Sequence, residues 1–401
     1  MSKKPTGFID FLQFFKVLPA RSLFLRKAPD GPIETLYGVN ELAKRLHPEK
    51  QCLKVAAVTD HGDAKSFTLV PDPARGTNHC AFFRAGQYLS VELSIDGALV
   101  SKPYSICSGP ADALAGSYTI TVKRTADGFA SDYILDHWDV GTEVTVAAPE
   151  GQFYYSPVRD AKTILGLAGG SGITPFHSIA SGIVSGDVDA DLILLYGSRS
   201  ADSILLKDAF DALEAKSDRI KVVHVLSDDP DAEGYEHGFL SAELIEKYEP
   251  DQDYSVFLCG PAAMYAFVDK ELEKLDLRTN RVRHELFGEA YHPEKLPNYP
   301  QDCVGKTYKV EVLIRGESKT IDCPADMTLL RAMEFAGIAA PSRCRAGECG
   351  FCHSRLVSGT VYVVPKGDGR RIGDLDYGWI HPCSAFPTSG VVLEVFPKAV
   401  S

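Results

Sequence analysis

Three cysteines stand at C-x4-C-x2-C in the run Arg343-Cys344-Arg345-Ala346-Gly347-Glu348-Cys349-Gly350-Phe351-Cys352, and a fourth, Cys383, lies further on. Four thiolates so spaced fit a [2Fe–2S] cluster, in which each iron needs a pair of thiolate ligands besides the bridging sulfides. Gly347 and Gly350 let the loop close on such a cluster and turn N–H groups toward its sulfurs, which tunes the reduction potential. A zinc site would favour a second C-x2-C pair or a mixed Cys/His set, and only one C-x2-C pair is present. The other cysteines, Cys52, Cys80, Cys107, Cys259, Cys303 and Cys323, are scattered as reduced thiols are, most of them as small buried apolar groups.

A second constellation reads Gly169-Gly170-Ser171-Gly172-Ile173-Thr174-Pro175 and follows the apolar run Lys162 to Ala168. A glycine-rich turn between strand and helix, with proline near the first helical position, presents backbone N–H groups to a diphosphate. The match to G-x-G-x-x-G is incomplete, because Pro175 stands where the third glycine would be. A later strand run, Ser255 to Leu258, ends in Cys259-Gly260-Pro261-Ala262-Ala263-Met264. Lys102-Pro103-Tyr104-Ser105-Ile106 and Gly128-Phe129-Ala130-Ser131 are each weak alone, reading as a strand end and a turn that opens a helix over 131–138. His177, His224, His237 and His284 show no metal-ligand spacing and read as satisfied or solvated histidines.

The elements that must position these groups fall into blocks. Short alternating or β-branched runs at 53–58, 66–70, 88–93 and 118–123, bounded by Gly, Pro or Asp, predict a small antiparallel barrel. Runs at 162–168, 192–196, 221–226 and 255–258, with helical stretches such as 207–215 between them, predict a parallel α/β sheet. Pro293, Pro297 and Pro300 without clear periodicity predict an extended linker. A hairpin around Arg315-Gly316, a helix over 328–336 ended by Gly337, and strands at 354–357 and 391–395 frame the four-cysteine loop. The boundaries expected are a helical extension at 1–48, the barrel at 49–158, the nucleotide domain at 159–284, the linker at 285–305 and the cluster domain at 306–401.

Taken together and in order, these motifs resemble the ferredoxin–NADP reductase superfamily. The arrangement is similar to that of the phthalate dioxygenase, phenylacetyl-CoA epoxidase and ketosteroid hydroxylase reductases, which carry a C-terminal plant-type ferredoxin domain of β-grasp fold. The resemblance covers all but about the first 48 residues. It implies a flavin-binding β-barrel in which Tyr104 stacks on the isoalloxazine and Ser105 bonds near N5. Lys102, Ile106, Val122 and Lys123 would lie in cofactor contact, and Gly128, Phe129, Ala130 and Ser131 at the pyrophosphate. Lys102 stands where the family has arginine, which keeps the charge and loses the bidentate fork. For the nucleotide domain it implies Gly169, Gly170, Gly172, Ile173 and Thr174 at the NAD(P)H pyrophosphate, Ser198 and Arg199 at the ribose, and Cys259, Gly260 and Pro261 beside the nicotinamide. Ser105 and Cys259 are then the candidate catalytic residues, and Cys344, Cys349, Cys352 and Cys383 the metal ligands.

The function so implied is an NAD(P)H-dependent electron-transfer reductase. Electrons pass through FAD, with FMN the alternative, and a [2Fe–2S] cluster to a separate protein acceptor: an oxygenase, hydroxylase or demethylase component. Two other readings stay open: an electron carrier or docking module with vestigial flavin and nicotinamide sites, and a reductase run in reverse to make NAD(P)H. Arg199 and Asp202 point opposite ways on NADPH against NADH.

Composition sets the bounds. The chain has 401 residues, 45% hydrophobic and 24% charged, with a formal net charge of −12. That balance argues against nucleic-acid binding, which needs clustered Lys and Arg, and favours a basic docking face on the acceptor. Asp10, Gln13 and Lys16 interrupt the apolar N-terminal run, so neither export nor a membrane span is expected there and the reading is cytoplasmic. Those polar residues make a narrow stripe on a helix over 8–18 that must bury most of its surface, and a second amphipathic helix is expected over 33–46.

Overall fold

The computed structural model describes residues 19, 21–23, 26–27, 38–125, 128–285, 288–365 and 368–396. The helix expected over 8–18 lies outside them, as does the start of the one expected over 33–46. What is described of the latter is α1 (Gly38–Leu46), which exposes Val39 and Leu42. Residues up to Leu46 form one compact unit, and His47 onward forms another.

The second unit begins with β1 (Lys50–Asp60), β2 (Ala64–Pro71), β3 (Tyr88–Ile95), β4 (Ala98–Ser105), helix α2 (Pro110–Leu114), β5 (Tyr118–Lys123), helix α3 (Phe129–His137) and β6 (Glu143–Ala147). The strands form one antiparallel sheet in the order β4-β3-β6-β1-β2-β5. A bridge between Ile106 and Ile120 joins its two edges, so the sheet curls into the expected barrel. β6 escaped the sequence reading, and of β4 only the end at Lys102 to Ser105 was read. β4 returns from β3 through Asp96-Gly97, whose φ angles of 49° and 84° suit the two-residue turn that matches strand twist.

Next come β7 (Thr163–Gly169), α4 (Thr174–Ser185), β8 (Asp191–Ser198), α5 (Lys207–Glu214), β9 (Ile220–Leu226), β10 (Glu236–His237), α6 (Ala242–Tyr248), β11 (Tyr254–Cys259), α7 (Ala262–Leu272) and β12 (Val282–His284). The sheet order is β10-β9-β8-β7-β11-β12, all pairs parallel. The chain runs outward from β7 on one side, then crosses to lay β11 on the other. A crevice therefore opens at the C-terminal ends of β7 and β11, where ligands enter such sheets. Gly166 lets α4 press on β7, because a Cβ there would stand 2.8 Å from Phe176 and from Leu194.

The last domain holds β13 (Thr307–Ile314), β14 (Glu317–Pro324), α8 (Leu329–Phe335), β15 (Ser354–Ser358), β16 (Val361–Val363), α9 (Ile372–Asp376), β17 (Trp379–Ile380), β18 (Ala385–Pro387) and β19 (Val391–Val395). Its main sheet runs β14-β13-β19-β15-β17, with β13 and β19 parallel. Arg315 and Gly316, at φ 51° and 83°, form the expected hairpin turn. The Thr328 hydroxyl accepts the Arg331 N–H at 3.3 Å and caps α8.

The segment expected as an extended linker is packed. Glu285, Glu289 and Tyr299 are buried, and the Tyr299 hydroxyl donates to the Ala325 carbonyl at 2.9 Å. Lack of periodicity marked the absence of helix and strand there, and said nothing of burial.

Candidate functional site

A cavity of about 880 Å³ opens between the barrel, the β7/β11 crevice and the cluster domain. That is near the top of the ~300–1,000 Å³ range of small-molecule sites. The end of β4 brings in Lys102, Tyr104 and Ser105, and the turn into α3 brings in Gly128, Phe129, Ala130 and Ser131. Lys123, Gly172, Thr174, Cys259, Gly260 and Pro261 also line it. Among the expected cofactor residues, Ile106 and Val122 point into the barrel core, so only their main chains can face a ligand. Gly169, Gly170, Ile173, Ser198 and Arg199 lie off the cavity wall.

The glycines of the β7 turn have a second task. A Cβ on Gly172 would meet the Cys259 carbonyl oxygen at 2.1 Å, and one on Gly169 the Met264 sulfur at 2.3 Å. Only glycine lets the ends of β7 and β11 close on each other and present one narrow floor. At the turn into α3 the Gly128 Cα is hemmed by Ser131, Thr125 and Asp132, whose oxygens stand 2.3 to 2.7 Å from where a Cβ would be. No side chain caps this helix, so its first N–H groups are left for an anion.

Burial, with Glu285 beside it, holds the Cys259 thiol well above its ordinary value, so it stays neutral. Glu285, also on the cavity wall, is pushed far above the carboxylate range by burial and then by Glu348 and Cys344. Burial and then the neighbouring Arg345 charge push the Lys102 amine down to about 7.

The cluster loop gathers all four cysteines. Cys352 and Cys383 Sγ stand 3.4 Å apart, and Cys344 Sγ accepts N–H bonds from Ala346 and Cys349 at 3.4 Å each. Bonding from Cys349 and from those main-chain groups brings Cys344 down to about 6, against the opposing effect of burial. Arg345, Gly347 and Gly350 take φ values of 62°, 87° and 69°, which fold the loop inward. Among the described residues no three His, Cys, Asp or Glu side chains converge as they would on a single ion. Cys344 with Cys349 and Cys352 with Cys383 stand as two thiol pairs, the grouping a two-iron cluster takes. His381 tightens the site: its Nδ1 lies 2.5 Å from the Gly347 carbonyl and ties the Cys383 segment to the loop. The sequence reading gave His381 no role.

Nor did it give one to Arg345, the largest fully buried side chain among the described residues. Its guanidinium donates to both Glu334 oxygens at 2.6 and 2.7 Å, to Glu289, and to the Ser101 carbonyl of the barrel at 2.9 Å. Lys102 Nζ lies 3.9 Å from the other Glu289 oxygen. The residue after the first cysteine thus reaches the barrel strand that carries Tyr104. Nothing in the local sequence shows this, since the partners lie 11, 56 and 244 positions away.

Comparison with known proteins agrees with this layout. Models of an oxidoreductase FAD-binding domain, an oxidoreductase NAD-binding domain and a 2Fe-2S iron-sulfur cluster binding domain match residues 75–155, 167–270 and 312–388. The chain is 33% identical to the ferredoxin reductase component of 3-ketosteroid-9-alpha-monooxygenase from Mycobacterium tuberculosis, over 85% of this chain and 94% of that one. It is 27% identical to the reductase component of glycine betaine monooxygenase from Pseudomonas aeruginosa, over 86% and 94%. Among solved structures, phthalate dioxygenase reductase, described as passing electrons from pyridine nucleotides to [2Fe-2S], matches at TM-score 0.61 and 25% identity, over 86% of this chain and 98% of that one.

Proposed function

The chain belongs to the three-domain FAD, NAD and [2Fe–2S] reductases of the ferredoxin–NADP reductase superfamily, and from that premise we propose how its own residues run the transfer. It takes electrons from NAD(P)H and delivers them through FAD and [2Fe–2S] to a separate oxygenase, hydroxylase or demethylase component. Bound flavin accepts a hydride and releases electrons singly, and a bound [2Fe–2S] cluster carries single electrons outward.

In this reading Tyr104 and Ser105 hold the flavin ring at the mouth of the barrel. The N–H groups at Gly128 to Ser131 hold the pyrophosphate, with Lys102 adding charge. The Gly172–Cys259 contact sets the depth of the nicotinamide site. Cys259, neutral and buried, positions the ring without acting as a base. Glu285 lines the same cavity, its carboxyl pushed up by burial. Cys344, Cys349, Cys352 and Cys383 would hold the [2Fe–2S] cluster, which would supply single-electron transfer. Per NAD(P)H, two electrons enter as a pair and two leave one by one, with a proton released.

The observation that carries this is one cavity lined by Tyr104, by Cys259 and Gly260, and by Arg345, the residue after Cys344. The test is anaerobic mixing of purified full-length protein with NAD(P)H. Flavin bleaching should come first and loss of the cluster's visible bands second, with a rhombic EPR signal appearing. Absence of acid-labile sulfide, or cluster bands unchanged after the flavin bleaches, overturns the proposal.

Ten free cysteines fit a reducing, cytoplasmic compartment, and no described helix is long and apolar enough to cross a membrane. The net charge of −12 calls for a basic docking face on the acceptor. Deleting residues 1–46 should leave NAD(P)H-driven dye reduction intact and weaken turnover with the true acceptor.

A further inference from the structure

The cavity has an end that the motifs do not account for. Past the Gly128–Ser131 turn its wall is built by α8 of the cluster domain and by the segment before that domain. Phe335 is 41% exposed and Tyr291 57% exposed, although both line the cavity. The Arg331 guanidinium lies over both rings, 5.2 Å from the centroid of Phe335 and 5.6 Å from that of Tyr291. Phe335 in turn meets Phe129, from the turn that opens α3, edge-on at 5.3 Å. Rings from three separate segments and one cation therefore face space continuous with the flavin position.

The chemistry of that wall specifies its occupant. Aromatic faces left wet inside a concavity gain most from a flat heteroaromatic ring, and a guanidinium stacked beside them both reinforces that contact and attracts phosphate. Glu334, one turn from Arg331, is held through both oxygens by Arg345. A turn with uncapped N–H groups next to an aromatic–cation cage is the layout for a diphosphate followed by a purine.

We propose that the cluster domain completes the flavin site: the adenosine end of FAD is received among Phe335, Tyr291 and Arg331, with its diphosphate between Arg331 and the Gly128–Ser131 turn. FMN, which lacks the adenosine monophosphate unit, leaves this end unfilled. The inference rests on reading the cavity as a flavin site, and it makes one cofactor a bridge between the first and third domains.

The test compares FAD and FMN binding to full-length protein stripped of flavin with its cluster retained, for wild type, Arg331→Ala and Phe335→Ala. Each variant should raise the FAD Kd on the order of tenfold, the size of one lost base–aromatic or cation–π contact, and leave the FMN Kd within about twofold. If Phe335→Ala costs the protein its cluster bands, Arg331→Met reads the same ratio without opening the core. An FAD Kd unmoved by these changes, or FAD and FMN weakened by one common factor, overturns the subsite. Wild-type protein that binds FMN in preference to FAD overturns the flavin assignment itself.

Discussion

The barrel meets its two neighbours in opposite ways. Against the nucleotide domain it shares a core: Ala64, Ala85 and Phe153 pack in one apolar cluster with Phe176, Ile179 and Phe257. The polar contacts there run to main-chain groups: the Ser178 hydroxyl donates to the Ser108 carbonyl at 2.7 Å, His177 meets the Cys107 carbonyl at 2.8 Å, and the Arg159 guanidinium donates to the Gln152 carbonyl at 3.2 Å. Against the cluster domain the cores stay separate, and the link is made by charged side chains: Arg345, paired with Glu334 and Glu289, donates to the Ser101 carbonyl of the barrel at 2.9 Å, Lys102 lies near Glu289, and Arg343 pairs with Glu150 at 3.1 Å. Apolar packing fixes distance, which the nicotinamide–flavin contact needs. A buried charge network contributes little net stability but penalises any arrangement that leaves one member unpaired, so it fixes register.

The largest test of that contrast is Arg345→Met. It strands two buried carboxylates and should cost about 3–5 kcal/mol, read as a fall in the urea midpoint followed through the cluster bands. Adding Glu334→Gln and Glu289→Gln should restore much of the loss, because uncompensated charge carries the cost. A variant with Arg345 alone replaced and no loss of stability would mean the charged junction is not what holds the loop.

Gly172→Ala addresses the apolar side. It forces the β7 and β11 ends apart, and flavin reduction by NAD(P)H should slow about 10²-fold while flavin and cluster spectra persist. Stopped-flow traces under anaerobic conditions give that number directly.

Lys102 gives a pH signature to the charged side only. Its amine, faced by Glu289, Glu334, Arg331 and Arg345, sits near 7 without ligand, well below its value in the unfolded chain. Above about pH 7 the folded protein must take up a proton to offer a cation to the cofactor phosphates, so FAD affinity should fall as pH rises, by at most about tenfold per unit. Titrating FAD into flavin-free protein between pH 6.5 and 9 checks this, at roughly the range that brackets the shifted amine. Lys102→Met should flatten the profile.

The smallest effects separate the two junctions by salt. Ser178→Ala should cost about 1 kcal/mol at any ionic strength, whereas Glu150→Gln should cost under about 1 kcal/mol and lose its effect in high salt. Equal salt response at both sites would erase the distinction.

The parts of this architecture legible in the sequence were those with short-range signals. The cysteine spacing, the Arg315-Gly316 hairpin and the glycine turn after β7 each follow from local chemistry, and the structure has the elements where those signals put them. β4 was read only at its end although Asp96-Gly97 is a strong hairpin signal, because Lys102 and Pro103 disrupt its alternation. Glu285, Glu289, Tyr291, Arg331 and Phe335 were invisible for another reason. Each looks like a surface residue in its own segment, and only the meeting of three domains turns it inward. Arg345 was in plain view beside Cys344, but the carboxylates that define it are far off in sequence.

The placement of β19 has a consequence for how the protein is made. The final strand described is also the middle of its sheet, bonded to β13 on one side and β15 on the other. A nascent chain that has emerged only as far as Cys383 therefore owns every thiol and no scaffold to hold them. Metal loading must wait until β19 has emerged, and a premature stop upstream of Val391 should leave a yellow protein that never turns brown.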